Sequence, residues 1–342
     1  MRFAFTDDQL AITEAARAML ADTCAPADLR RMLDSETPLD EARWSTIRDM
    51  GLTGMLAPEA SGGLGMGLVD LAGIAEAAGY FALPEPLVDL AGVAIPLLAG
   101  LEDDRGWLAR AVGGEIVALG HPANPFVADA DVAAALLLDH EGEVHLVERE
   151  AVALTRQESL DPFRRLFRVD WTPAAATKVA DGWGRSADRA ALLAAAQMIG
   201  LGQRCIDMAV AYARDRIQFG KPIGSYQAIK HLCANAQVKI EFARPVVQAA
   251  GAEFCLDTLP ARARIAHAKI VAGEAADLAT RTAVQVHGAM GFTWEVDVHF
   301  FLKRVHALHR AWGTPAQHMA TAIERIGTEP TGADCTFASE LA

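Results

Sequence analysis

The sequence has 342 residues, of which 52% are hydrophobic and 22% are charged, which is enough for a large core in more than one packed unit. The formal net charge of −13 argues against a nucleic-acid partner, because no basic cluster offsets repulsion by phosphates. A small polyanionic ligand needs only a local cluster and stays possible. The longest apolar stretches are too short to span a membrane, so no membrane partner is expected.

The cysteines and the opening residues indicate a cytoplasmic protein. The run MRFAFTDD at the start lacks the apolar stretch of a signal peptide. The cysteines have no C-x-x-C spacing, so we expect reduced thiols in the core. The five cysteines are Cys24, Cys205, Cys233, Cys255 and Cys335.

Residues 1–112 predict an N-terminal helical domain. Thr6, followed by Asp-Asp-Gln, is a helix start with carboxylates near the positive end of the helix dipole. The glycine-rich run at 62–67 follows a helix-loop segment, whereas a dinucleotide-binding turn follows a strand. This run therefore predicts a loop before a helix at 68–80.

Residues 113–182 predict a small, mostly antiparallel β-domain. Short apolar runs separated by Gly, Pro, Asp and Glu turns are typical of strands. The turn at 139–143 lies between two such runs and predicts a hairpin. The predicted strands lie at 116–119, 134–138, 144–147, 152–154 and 166–169.

Residues 183–326 return to long helices, and the polar tail at 327–342 is expected to be mobile. The order of helices, then strands, then helices predicts a mainly α fold with a small β-domain in the middle. It is incompatible with an alternating α/β chain. The predicted helices run from 186 past 213 and over 227–250, 260–285, 295–303 and 316–326.

The segment 212–231 carries the most chemical information. It contains Arg216-Ile-Gln-Phe219-Gly-Lys-Pro-Ile and then Gln227, after a predicted helix. An arginine fork can bind a diphosphate, glutamine amides add hydrogen bonds, and an aromatic face can cover an adenine or flavin ring. From spacing alone, a helix C-terminus that ends in a glycine and a proline explains the same residues.

This segment resembles the flavin-binding signature of the acyl-CoA dehydrogenase family. A second match is Gln285-Val-His-Gly288-Ala-Met-Gly-Phe, where the family has Gln-x-x-Gly-Gly-x-Gly-Phe/Tyr and this chain has Ala289 as the second of the paired glycines. The opening helices are also similar to those of the family. The resemblance covers residues 1–112 and 183–326 and is poor between them.

The resemblance implies an acyl-CoA dehydrogenase-like fold in which FAD lies across an interface between two chains. In the family, the flavin ring rests on the β-domain of one chain, and the diphosphate and adenine reach the two matched segments of its neighbour. Glycines there let the cofactor approach the backbone closely. By this likeness the FAD-binding residues are Arg216, Gln218, Phe219, Gln227, Gln285, Gly288 and Thr314.

Two parts of the family's site are missing from this sequence. The flavin-contacting motifs Thr-Glu-Pro…Gly-Ser-Asp and Trp-Ile-Thr/Ser-Asn have no counterpart, and the run 118–126 stands where the first is expected. The catalytic glutamate, which removes the α-proton of the thioester, is replaced by Trp312. The family's other base position falls on Ala190 or Ala191, and Asp188 would serve only if the alignment shifts.

The histidines near the C-terminus do not predict a metal site. His306 and His309 are three residues apart and can share a helix face, and His299 and His318 flank them. No carboxylate or cysteine completes a ligand set at metal-binding spacing, so no metal is expected.

These departures favour one function and leave two others open. The favoured function is the smaller, base-free subunit of a heteromeric, FAD-dependent acyl-CoA dehydrogenase, with a homologous larger subunit carrying the glutamate. Some bacterial enzymes for bulky CoA thioesters, steroid side chains among them, resemble this arrangement, and the family implies electron-transfer flavoprotein as the acceptor. The alternatives are a homo-oligomeric dehydrogenase with an unrecognised base, and a non-redox binding or scaffold protein on the same fold.

Overall fold

The structure is a computed structural model that describes residues 6–34, 39–256 and 258–328. Most of the tail predicted to be mobile, and Cys335 within it, lie outside these residues. The described chain has the predicted order of helices, strands and helices. The domain boundaries expected after residues 112 and 182 stay a prediction.

The N-terminal domain consists of helices packed around an apolar core. Thr6 begins the first helix: its hydroxyl accepts a hydrogen bond from Gln9 N at 3.2 Å, and Gln9 Oε1 accepts one from Thr6 N at 2.9 Å. This capping box confirms the predicted helix start. The predicted helix at 68–80 is also confirmed. The helices are α1 (Asp7–Thr23), α2 (Pro26–Asp34), α3 (Glu41–Asp49), α4 (Leu68–Tyr80), α5 (Leu87–Asp89), α6 (Ile95–Leu98) and α7 (Trp107–Val112).

The β-domain contains two sheets, with strand orders β1-β3-β4-β7 and β2-β6-β5 in the numbering given below. One pair, β1 with β3, is parallel and the other pairs are antiparallel. The predicted hairpin is confirmed, and Gly142, with a φ of 87°, lies in its turn. The sequence did not predict β2 and β7. The strands are β1 (Val117–Gly120), β2 (Val127–Ala128), β3 (Ala135–His140), β4 (Glu143–Glu148), β5 (Ala153–Gln157), β6 (Leu166–Asp170) and β7 (Lys178–Ala180).

The C-terminal domain is built from long helices with alanine-rich buried faces. The predicted helices are confirmed within a few residues at their ends, except that the helix expected at 295–303 begins at Val298 and continues to Arg310. A short hairpin separates the first two of them. The elements are α8 (Ser186–Asp215), β8 (Ile217–Gln218), β9 (Lys221–Pro222), α9 (Gln227–Ala252), α10 (Leu259–His287), α11 (Val298–Arg310) and α12 (Pro315–Thr328).

Glycines let α4 and α8 touch backbone to backbone. A Cβ on Gly79 would lie 2.0 Å from the carbonyl oxygen of Gln197, and one on Gly200 would lie 1.9 Å from that of Glu76. Neither position therefore accepts a side chain. This contact holds the N-terminal helices against the C-terminal ones.

Arg304 of α11 ties the three parts of the chain together. Its guanidinium pairs with the buried carboxylate of Asp161 in the β-domain and donates to the carbonyl oxygen of Leu83 at 3.0 Å. A second buried pair, Arg43 with Glu85 at 2.6 Å, lies within the N-terminal domain. The described helices include none long and apolar enough to cross a membrane.

Candidate functional site

The segment that follows α8 folds into a tight, exposed hairpin. β8 and β9 pair across a two-residue turn of Phe219 and Gly220, whose φ angles are 52° and 78°. A positive φ is unfavourable for a bulky aromatic residue. The Phe219 side chain is 93% exposed, so no packing within the chain compensates for that conformation.

Local contacts hold this hairpin in one conformation. Ile223 N donates to the carbonyl oxygen of Arg216 at 2.8 Å, and the Tyr226 hydroxyl donates to that of Gln218 at 3.2 Å. Lys221 Nζ lies 4.3 Å from the centre of the Tyr226 ring. The Arg216 guanidinium forms no hydrogen bond or ion pair with another described residue. Its charge is therefore free to meet an anion.

The second segment predicted to bind a cofactor lies where α10 ends. Gly288 has a φ of 61°, and a Cβ there would meet nothing within 4 Å, so the backbone faces open space. Gln285 is exposed, and Phe292 is 84% exposed. Gly291 is confined instead, because a Cβ there would lie 2.7 Å from the carbonyl oxygen of Val284.

The structure brings these two segments together through one aromatic contact. The ring of Tyr212, one helical turn before Arg216, stacks on the ring of His287 with centroids 4.3 Å apart. His287 directly precedes Gly288, and its Nδ1 lies 2.7 Å from the carbonyl oxygen of Ala283. All the predicted FAD-binding residues except Thr314 belong to these two segments. Their role in binding FAD stays a prediction.

Thr314 lies on a different turn, the one between α11 and α12. Its hydroxyl accepts a hydrogen bond from Gln317 N at 3.3 Å, and its own N–H donates to Gln317 Oε1 at 2.8 Å. The residue therefore caps α12. The structure does not place it with the hairpin.

Trp312, at the expected position of the base, is buried on this same turn. It is 4% exposed, and its ring centroid lies 5.4 Å from that of His121 in the β-domain. Its backbone N–H donates to Asn124 Oδ1 at 2.9 Å. At the other base position, Ala190 and Ala191 are buried within α8. Neither position presents a carboxylate.

Asp188, the weaker candidate for a base, is paired elsewhere. Its carboxylate lies 3.3 Å from Arg185 Nε, near the start of α8. The Arg185 guanidinium also donates to the carbonyl oxygen of Leu256 at 2.8 Å. Through this hydrogen bond, Arg185 fastens the start of α8 to the connection between α9 and α10.

A polar cavity of about 50 Å³ borders Trp312. A water molecule occupies about 30 Å³ of liquid and small-molecule sites measure about 300–1,000 Å³, so this space holds little more than water. It lies where the three parts of the chain meet. Its polar lining consists of Glu85, Asp89, Asp129, Arg164, Gln197 and Arg304.

Burial changes the titration of the carboxyl groups in this cavity. It raises the pKa of Asp89, although the charge of Arg164 and a hydrogen bond from the Trp312 side chain oppose the change. Burial also raises the pKa of Asp129 to about 7, although Arg165 Nη2 lies 3.4 Å from its carboxylate. The interior beneath Trp312 therefore favours neutral carboxyl groups.

Two side chains hold the Trp312 turn from the opposite side. The Nζ of Lys269, inside α10, donates to the carbonyl oxygens of Leu308 and of Ala311, the latter at 3.0 Å. Burial lowers the pKa of Lys269 to about 7. His318 Nε2 lies 3.1 Å from the carbonyl oxygen of Trp312. The turn is therefore anchored on both sides.

The sequence analysis missed most of the residues around Trp312. They come from all three parts of the chain, and no motif spacing links them. Two weak signals are present in the sequence: the adjacent pair Arg164 and Arg165 within the β-domain, and the run 118–126 that contains Asn124. The missed residues are Asp89, Asn124, Asp129, Arg164 and Lys269.

The described cysteines differ in their exposure to solvent. Three described cysteines are buried and free, as expected, whereas Cys255 is exposed and is therefore not a core residue. Across the described ranges, no group of three or more His, Cys, Asp and Glu side chains is placed to hold a metal ion.

Sequence comparison identifies relatives over nearly the whole chain. The profile "Acyl-CoA dehydrogenase, N-terminal domain" matches residues 6–110, and "Acyl-CoA dehydrogenase, C-terminal domain" matches residues 184–327. Acyl-CoA dehydrogenase IpdE2 of Mycolicibacterium smegmatis is 34% identical, over 92% of this chain and 97% of that protein. The protein of the same name in Mycobacterium tuberculosis is 30% identical, over 95% of this chain and 99% of that protein.

Solved structures share the fold. A chain of the ChsE4–ChsE5 complex from Mycobacterium tuberculosis superposes with a TM-score of 0.85 at 23% identity, covering 97% of this chain and 100% of that one. Butyryl-CoA dehydrogenase from Megasphaera elsdenii gives a TM-score of 0.84 at 19% identity, covering 95% and 100%. The predicted fold class is confirmed.

Proposed function

We propose that this chain, which belongs to the acyl-CoA dehydrogenase family, is the base-free subunit of a heteromeric, FAD-dependent acyl-CoA dehydrogenase. The observation that carries the proposal is that Trp312 is buried at the base position while Phe219 and Arg216 stand exposed. A homologous larger subunit supplies the catalytic glutamate. Together they catalyse α,β-dehydrogenation of an acyl-CoA thioester, with electron-transfer flavoprotein as the acceptor.

The exposed segments fit the diphosphate and adenine end of FAD. The Arg216 guanidinium has no partner in the described part of the chain, which suits a diphosphate. Gly288 has open space where a Cβ would stand, which lets a ligand approach the backbone. Phe219 offers an uncovered ring, and neighbouring glutamine amides add donors and acceptors. When bound, FAD supplies the oxidant for the reaction.

The interior beside Trp312 does not fit an acyl group and its base. The cavity there has a volume of about 50 Å³, and the indole occupies the position from which a glutamate would act. Removal of an α-proton needs a carboxylate aligned with the thioester. This chain therefore lends one half of a cofactor site to a partner that holds the flavin ring and the substrate.

The relatives support a heteromer. One of the similar structures is a complex of two proteins, ChsE4 and ChsE5. The favoured assembly has two copies of this chain with two of the larger subunit, and one FAD for each unlike pair. A bulky acyl-CoA, such as a steroid side-chain thioester, is the favoured substrate class.

Co-expression with a homologous larger acyl-CoA dehydrogenase subunit tests this function. Light scattering and flavin quantitation on the purified complex should give one FAD per unlike pair of chains. The chain purified alone should be colourless. A stable monomer, or one FAD per copy of this chain purified alone, would overturn the proposal.

Asp89 favours a second candidate, a homo-oligomeric dehydrogenase that uses an unrecognised base. Its carboxyl borders the same cavity as Trp312. Burial raises its pKa, so its ionised form, which the nearby charge of Arg164 favours, would be a stronger base than an ordinary carboxylate. If this second function is correct, the chain purified alone should be yellow, because it would retain its flavin. The same function predicts that Asp89→Asn abolishes oxidation of acyl-CoA without loss of flavin.

A further inference from the structure

An open cleft lies between the β-domain and α11, apart from the cavity beside Trp312. Its volume is about 450 Å³, within the range of small-molecule sites of about 300–1,000 Å³. One wall comes from the loop between β1 and β2, and the opposite wall comes from α11. Apolar side chains form much of the lining: Pro125, Phe126, Leu160, Leu166, Ala307 and Ala311.

Arg164 connects this cleft to the interior. It lines the cleft, the cavity beside Trp312 and a third small space against β1. Its half-buried guanidinium forms no hydrogen bond or ion pair with another residue of the described ranges. A guanidinium away from bulk water is costly without a partner, and its planar fork matches a carboxylate. The cleft therefore has apolar walls and two arginines, Arg164 and Arg310, that have no partner within the described ranges.

The charges behind Arg164 limit the charge of an occupant. Asp89 and Asp129 border it from the interior, and both feel its positive charge. Burial raises the pKa of both carboxyl groups and so weakens their pairing with Arg164. On the cleft wall, Glu158 offsets Arg310 in sign. With Glu158 set against Arg310, the charged side chains of the cleft sum to one net positive charge, which favours a monoanion over a phosphate dianion.

We propose that the cleft is a binding site for a small free carboxylic acid with an apolar body. The carboxylate pairs with Arg164, and the apolar body packs against Phe126 and Leu166. The hydroxyl of Ser159 and the imidazole of His306, which also line the cleft, add hydrogen-bonding groups. The site is distinct from the exposed hairpin and does not depend on the heteromer.

Calorimetry on the full chain, together with any partner that co-purifies, tests this site. The probe is cyclohexanecarboxylate, and cyclohexanemethanol is its neutral analogue. We expect one carboxylate per copy of this chain. Because only the carboxylate forms charge-assisted hydrogen bonds, we expect the alcohol to bind at least about tenfold more weakly. Equal binding of the two probes would overturn the proposal.

Two arginine variants make the test specific. Arg164→Gln should weaken carboxylate binding at least about tenfold, and Arg164→Lys, which keeps the charge and loses the fork, should weaken it less. Arg214→Gln is the matched control, since Arg214 lines a separate cleft of about 450 Å³ between α8 and α9. Unchanged affinity in Arg164→Gln, or an equal loss in Arg214→Gln, would refute the site.

Two further controls test for misfolding of the variant and for binding of a flavin in the same cleft. If Arg164→Gln does not fold, the two probes on the unaltered chain and on Arg164→Lys decide the question. Riboflavin is titrated in competition with cyclohexanecarboxylate. Displacement of the carboxylate by riboflavin at lower concentration would assign the cleft to a flavin ring instead.

Discussion

The hairpin at the end of α8 and the turn that carries Trp312 have opposite relations to solvent. Phe219 keeps an unfavourable backbone conformation and exposes 93% of its side chain. Trp312 also has a positive φ, of 59°, but its ring is 4% exposed and packs against His121. Strain in a buried ring is offset by packing within the chain. Backbone strain at an exposed aromatic residue is not offset by packing within the chain, which indicates that the ring contacts a ligand or another chain.

The difference also appears in the charged groups of the two regions. At the hairpin, Arg216 has no partner among the described residues. At the junction, where the three parts of the chain meet around the Trp312 turn, Arg304 pairs with Asp161. There, Lys269 donates to the carbonyl oxygens of Leu308 and Ala311. The charged group of the hairpin is exposed to solvent, whereas the two around the Trp312 turn are paired within the chain. A mutation should therefore affect binding in the first region and folding in the second.

The largest effect should come from Arg304→Met. The change leaves the carboxylate of Asp161 buried without its partner and removes the donor to the Leu83 carbonyl. Breaking one side of a buried ion pair costs about 3–5 kcal/mol, so we expect the free energy of unfolding in urea to fall by that amount.

An exposed ion pair provides the control for Arg304→Met. Arg110 and Glu115 lie 2.6 Å apart with about two fifths of each side chain exposed, and Arg110→Met should cost less than about 1 kcal/mol. The double variant Asp161→Asn/Arg304→Met should recover part of the loss. Similar losses for Arg304→Met and Arg110→Met would contradict the view that the junction is internally completed.

Trp312→Glu should destabilise the chain without creating a dehydrogenase. It exchanges a buried ring for a carboxylate beside Asp89, and loss of a buried large aromatic side chain costs about 3 kcal/mol or more. Turnover also requires an aligned thioester and a bound flavin. The assay is reduction of an electron acceptor with a panel of acyl-CoAs. Robust turnover by the homomeric variant would show that this chain has an intact flavin site.

Arg216→Ala should weaken retention of FAD and leave folding nearly unchanged. Loss of one charge-assisted contact to a diphosphate costs about 1.5–3 kcal/mol, whereas an unpaired surface arginine contributes little to stability. Flavin content of the purified complex is measured at dilute FAD. Arg48→Ala, at an exposed position of α3, is the control. Unchanged flavin content in Arg216→Ala would remove this residue from the site.

Local sequence signals predicted one region of the molecule and not the other. The hairpin and the glycine segment are short runs whose turn residues and helix ends are visible in sequence, and the structure brings them together through Tyr212 and His287. Hydrophobic periodicity likewise predicted the helices and most strands. The strands β2 and β7 were missed because two or three residues are too few to show a period.

The junction could not be predicted because its groups meet only after folding. Asp89, Arg164 and Lys269 belong to three different parts of the chain, and none stands in a recognisable motif. The sequence predicted that Trp312 stands at the position of the base. It could not show that the indole is buried, because burial depends on the β-domain loop that carries His121 and Asn124. The arrangement around Trp312 depends on tertiary contacts, which residue spacing in the sequence does not predict.

The smallest expected effect is a dependence of stability on pH, and it tests whether the surroundings of Trp312 exclude water. Burial lowers the pKa of His121 from 6.5 to about 4. Between these values the unfolded chain binds more protons than the folded chain, so the stability present above pH 6.5 is lost as the pH falls towards 4. We expect this residue to make the folded chain measurably less stable at pH 4 than at pH 6.5.

His121→Asn isolates this contribution. Asparagine keeps an acceptor for the hydrogen bond from Ala123 N, which is 3.0 Å long, and removes the titrating ring. The difference in free energy of unfolding between the two proteins should be constant above pH 6.5 and shrink towards pH 4. Asp129, whose raised pKa acts in the opposite direction, is present in both proteins and cancels. His121 lies between Trp183 and Trp312, so a difference independent of pH would mean that water reaches the Trp312 ring and that this half of the site is open.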